Sequence, residues 1–122
     1  MAVARYFVHD VDESIAFYQE ALGFTVRQHG KGSPFAWIEK GDQSLWVSGP
    51  GTSAQQPMTD GSVPEPGGWN RIVVEVEDIE AVVADLRARG TTFRNEPLSG
   101  VGGTQVLIED PSGNPIEIFQ PR

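Results

Sequence analysis

Hydrophobic and polar positions alternate over residues 2–8, which predicts a strand with Ala4, Tyr6 and Val8 on one face and Val3, Arg5 and Phe7 on the other. The period then lengthens to that of a helix. Ile15, Tyr18 and Leu22 recur on one stripe, Asp10 stands where it can accept from the first-turn amides with Glu13 three residues on, and Gly23 provides a stop. Three short strands are predicted after it, near residues 24–28, 35–39 and 44–48, separated by glycine-containing turns at 30–32 and 41–42.

Residues 49–70 break the pattern with four prolines, several glycines and few apolar side chains. The plan then starts again. Residues 71–76 read as a strand, and Asp78 opens a helix over 79–89 with Ile79, Val82, Val83 and Leu86 on one face. Strands follow near 92–94, 104–109 and 115–120, with a turn over 110–114. Each half therefore reads strand, helix, strand, strand, strand. Two copies argue for duplication of one unit, since a solenoid needs at least three. The expected architecture is a single α+β domain of two βαβββ modules. Module 1 covers about 1–48, a hinge loop 49–70 and module 2 about 71–122, with helices outside a curved mixed sheet around a cavity.

Composition narrows the functions available. A net charge of −8 with no basic stripe argues against nucleic acid as a partner. No apolar run approaches the ~18 residues of a membrane span, and the first residues lack the pattern of a signal peptide. With no cysteines there are no disulfides and no thiolate chemistry, and the cytoplasm is the expected location.

The segment 8–18 (VHDVDESIAFY), with Leu22-Gly23-Phe24 after it, and the segment 109–118 (EDPSGNPIEI) resemble, in that order, the vicinal oxygen chelate superfamily of glyoxalase and bleomycin-resistance type. Metalloenzymes of that family carry four ligands, usually His or Glu, on the first and last strands of each half. By resemblance those places fall here on Val3, on Trp46 (Leu45 if the register slips by one), on Arg71 and on Glu117. Only Glu117 offers a carboxylate, so no metal and no other cofactor is expected. The two histidines do not replace the missing ligands: His9 falls in the first strand-to-helix loop and His29 at a strand end, both expected at the surface.

Strand periodicity turns those places into a map of the cavity. The inward set is Arg5, Phe7, Phe35, Trp37, Trp46, Arg71, Glu117 and Phe119, with Glu39 and Glu75 among them and Trp69 at the end of the loop, where it can close over the cavity as a lid. Aromatic faces with a few charges suit a flat organic ligand. The first expectation is a binding protein that sequesters an aromatic natural product, as antibiotic-resistance members of the family do. It would form a homodimer with pockets at the subunit interface. The alternative is a metal-independent isomerase or lyase using Glu117 or Glu75 as general base, with an arginine stabilising an enolate. A third reading is a subunit or regulatory domain with no pocket function, whose cavity is filled by its own side chains. Two structural readings also stay open at this stage: the tryptophans as core, and Arg71–Glu117 as an ion pair filling a vacated metal place.

Overall fold

The computed structural model describes residues 2–122. In the first module β1 (Ala4–Phe7) leads into α1 (Val11–Leu22), followed by β2 (Thr25–Gln28), β3 (Phe35–Lys40) and β4 (Gln43–Ser48). The four strands form one sheet in the order β1-β4-β3-β2. β1 and β4 run parallel with Arg5 opposite Trp46, while β3 and β4 run antiparallel with Trp37 opposite the same Trp46. Asp10 caps α1 by accepting from the Glu13 N–H. At the other end Gly23 takes φ 77°, a left-handed conformation that a side chain would resist, and its N–H closes on Gln19.

The second module places β5 (Ile72–Glu75) before α2 (Ile79–Ala88), then β6 (Thr92–Phe93), β7 (Leu98–Ser99), β8 (Gly103–Glu109) and β9 (Pro115–Pro121). Its sheet order is β5-β9-β8-β6, with β7 added against β8 and β5 parallel to β9. The fold is therefore α+β and duplicated, as the pattern implied, with two differences. β7 is a two-residue strand, too short to leave an alternating signature. The ladders also form two sheets, not one continuous sheet.

The two sheets are joined by side chains at the seam between β1 and β5. The Tyr6 hydroxyl donates to the Pro115 carbonyl at 2.7 Å and accepts from the Ile72 N–H at 2.7 Å. Burial pushes that hydroxyl up to about 12, which keeps it neutral and able to play both parts. The core lies between sheets and helices. Tyr6, Val8, Ala36, Ile38, Leu45 and Val47 are buried in the first module, and Ile72, Val74, Val106, Ile108, Ile116 and Ile118 in the second. This division sends the alternate residues of each strand to the opposite, more open face, and it fixes the register in β4: Leu45 belongs to the core and Trp46 to the open face. No helix among the described residues is long and apolar enough to cross a membrane.

Candidate functional site

On the open face of the first sheet the pairing of β3, β4 and β1 brings aromatic side chains together. Trp37 and Trp46 meet edge to face with centroids 6.0 Å apart, and Phe35 meets Trp46 at 5.8 Å. The Arg5 guanidinium lies 5.0 Å from the Trp46 ring centre, and that of Arg27 lies 4.4 Å from Trp37. Arg27 was not legible as a site residue. It follows Val26, which pairs with core Ile38, and so falls on the open face, next to a register irregularity between Val26 and Gln28; there it also pairs with Glu39 at 3.5 Å. The indole N–H groups of Trp37 and Trp46, and the Ser48 hydroxyl, are buried and have no hydrogen-bond partner among the described residues.

The second sheet carries a different surface. Arg71 donates from Nε and Nη2 to one oxygen of Glu117, at 3.1 and 2.8 Å, and Glu117 is only 9% exposed. Val73, facing the same way one strand over, is exposed, and Phe119 follows Glu117 on β9 opposite Glu75. The family's metal places thus hold an apolar side chain, an indole, and a carboxylate already gripped by a guanidinium. A divalent cation finds one anionic donor there with a fixed positive charge beside it. The residue types do not fit a metal, whichever chains supply the two modules. Among the described residues no group of three or more His, Asp or Glu side chains converges elsewhere.

The two surfaces meet at the seam. A cleft of about 320 Å³ is lined there by Arg5 and Phe7 from β1, by Arg71, and by Glu65, Asn70 and Asn114. Arg5, Phe7 and Arg71 thus share one cleft, whereas Phe35, Trp37 and Trp46 continue from it along the first sheet. Phe119 and Trp69 do not line it.

Trp69 is 69% exposed and rests on Arg94, whose guanidinium lies 4.8 Å from its ring centre. Arg94 also pairs with Glu109 at 2.8 Å and donates to the carbonyls of Gly68 and Gly113. Gly67 N–H donates to Asn114 Oδ1. The end of the loop is thus fastened to the second module, with Trp69 on the outside of the fastening. Arg94→Ala is expected to cost about 1–2 kcal/mol through loss of the charge-assisted bonds. Limited proteolysis should then find cleavage within 60–70 that the parent resists; equal resistance of the two proteins would remove this role from Arg94.

His29, expected at the surface, has a side chain only 14% exposed, with Nδ1 against the Phe35 carbonyl at 3.0 Å and Nε2 against Asp12 at 3.2 Å. It thereby ties the start of β3 to the first turn of α1. Its contacts are structural.

Comparison with known proteins agrees with this geometry. Residues 1–118 match the family model for the glyoxalase/bleomycin resistance protein/dioxygenase superfamily, and the chain belongs to that superfamily. It is 31% identical over 93% of its length to the virulence protein STM3117 of Salmonella typhimurium, covering 78% of that protein. It is 27% identical, again over 93%, to a probable lactoylglutathione lyase of Vibrio cholerae, of which 84% is covered. Among solved structures, that of STM3117 superposes with a TM-score of 0.77, covering 100% of this chain and 96% of that one at 24% identity. A lactoylglutathione lyase from Agrobacterium tumefaciens gives 0.73 at 18% identity, covering 98% and 92%. The structural likenesses establish the fold.

Proposed function

We propose that the protein binds and sequesters a planar aromatic compound of natural-product type, without a metal, as a resistance function. The observation that carries this reading is the Trp37–Trp46 cluster with its two unpartnered indole N–H groups. A buried donor without a partner costs about 1–3 kcal/mol, whereas a guanidinium over an exposed ring returns about 0.5–1 kcal/mol. The surface is therefore a burden on folding, as expected of residues retained for a ligand. The half-buried rings, each carrying a guanidinium, form an aromatic and cationic surface against which a planar ligand can pack. The acid–base alternative, with Glu117 or Glu75 as general base, is less well supported: Glu117 is nearly buried and already ion-paired with Arg71, and Glu75 is exposed at the edge strand.

We place the working unit in a homodimer in the cytoplasm. The open faces of both sheets and the half-exposed Phe7, Phe35, Trp37 and Trp46 favour completion of the pocket by a second copy. Light scattering on the purified protein should give twice the 13.3 kDa chain mass, and a monomer would remove the shared pocket.

The test of function is titration of chelator-treated protein with planar aromatic natural products, following tryptophan fluorescence and recovering the compound for mass analysis. Saturable quenching at micromolar concentration or below, with the compound unchanged, is expected. Chemical conversion by the chelated protein would replace sequestration with catalysis. Absence of quenching across the panel would end the binding reading.

A further inference from the structure

Resting on that reading, we infer that the ligand is an aromatic oxyanion, a carboxylate or phenolate, whose charge sits at the seam cleft beside Arg5 while its ring lies along Trp46 and Trp37. This runs against the net charge of −8, which by itself would draw cations.

The arginines are not all used alike. Arg27, Arg71, Arg87, Arg89 and Arg94 each form an ion pair with a carboxylate, at 3.5, 2.8, 2.8, 2.8 and 2.8 Å respectively. Arg122 donates to the Gly100 carbonyl. Arg5 has neither an ion pair nor a hydrogen bond among the described residues, and its neighbour is the Trp46 ring. Its five N–H donors are free, in a planar fork that matches a carboxylate.

Its position adds to this. Arg5 lines the cleft together with Arg71, whose charge is balanced by Glu117, and with Asn70. The carboxylate of Glu65 borders the same cleft but is paired with neither arginine. The Trp46 ring holds the guanidinium from one side, so a ligand ring that extends this stack brings an attached oxyanion to the fork. Aromatic body and anionic group are thus served by adjoining side chains from β1 and β4, which the parallel pairing sets side by side.

The experiment uses three probes of one shape: naphthoate, naphthamide and naphthylmethylamine, which are anionic, neutral and cationic at pH 7.5. Each is titrated by tryptophan quenching against the full chain and against Arg5→Gln and Arg5→Lys, with circular dichroism to show that each variant is folded. Naphthoate should bind at least tenfold more tightly than naphthamide, and its affinity should fall with added salt. Arg5→Gln should remove most of that advantage, and Arg5→Lys should keep part of it. Equal binding of naphthoate and naphthamide, or preference for the amine, would overturn the inference while leaving aromatic sequestration intact. An anion preference unchanged in Arg5→Gln would overturn the assignment to Arg5. Failure of all three probes to quench would overturn both the inference and the reading beneath it.

Discussion

Replacing Asp110 with alanine is expected to remove roughly 3–5 kcal/mol of folding stability, because it strips two or more buried donors of their acceptor at once. One carboxylate oxygen accepts the Tyr18 hydroxyl and Asn114 Nδ2, both at 2.9 Å, and the other accepts the N–H groups of Ser112 and Asn114, also at 2.9 Å. Tyr18 comes from α1 of the first module, and Asn114 donates onward to the Phe7 carbonyl in β1 at 2.7 Å. The turn over 110–114 therefore fastens module to module from the helix side, while Tyr6 does so at the sheet seam. Without Asp110 the Tyr18 hydroxyl and the Asn114 N–H stay buried and unpaired. Urea unfolding should show a midpoint far below that of the parent, and a loss under 1 kcal/mol would mean that the turn is not the joint it resembles.

The same residue sets a pH dependence. Burial raises the Asp110 carboxyl above the usual aspartate range, against four hydrogen bonds that pull it down. The folded state therefore holds a proton at pH values where the unfolded chain has released it. Stability contributed by this group falls as pH rises from about 4 through the raised value. Asp110→Asn should flatten that segment of the stability–pH curve while lowering it throughout, since an amide nitrogen in place of either oxygen sets a donor against donors: Asn114 Nδ2 at one, the Ser112 and Asn114 N–H groups at the other.

How much of this was legible in the chain depends on which interactions are local. Asp10, Ile15, Tyr18, Leu22 and Gly23 specify α1 through contacts a few residues apart, and period-two alternation assigned the core and open faces of β1, β4, β5 and β9. The fastening of the modules was not legible. The acceptors of Tyr6 and Tyr18 lie 109 and 92 residues away, and a tyrosine on an apolar face reads as core whether or not its hydroxyl is used. Arg27 was hidden for a different reason: β2 is a short, exposed edge strand, and its arginine reads as a solvated surface residue until the ring of Trp37 on the neighbouring strand is placed beside it. Arg94 looked like a strand end, because its partners are Glu109, two backbone carbonyls and a loop tryptophan, which no spacing rule connects. The Arg71–Glu117 pair could be anticipated from type alone, as opposite charges at equivalent places in the duplicated plan.

Ligand capture should respond most to Trp46. Trp46→Ala is expected to weaken naphthoate binding by at least about thirtyfold, the loss typical of a buried aromatic anchor at a binding surface (about 2 kcal/mol or more). The reason is its place in the network: Trp46 touches Trp37 and Phe35 by edge-to-face contacts and carries Arg5 on its own ring. Truncation removes the stacking face and the support that holds the free guanidinium at the cleft, so shape and charge recognition fail together. Trp46→Phe separates these contributions. It keeps a smaller ring for stacking and for Arg5 but deletes the unpartnered indole N–H, so its loss should lie between the parent and the alanine variant. Since the Trp46 side chain points away from the core that holds Leu45 and Val47, both variants should retain the parent's circular dichroism and unfold cooperatively. Fluorescence from the remaining Trp37 and Trp69 provides the binding signal, with isothermal calorimetry as a readout independent of tryptophan. Parent-like affinity in Trp46→Ala together with a large drop in melting temperature would make Trp46 a packing residue and move the capture surface elsewhere on the molecule.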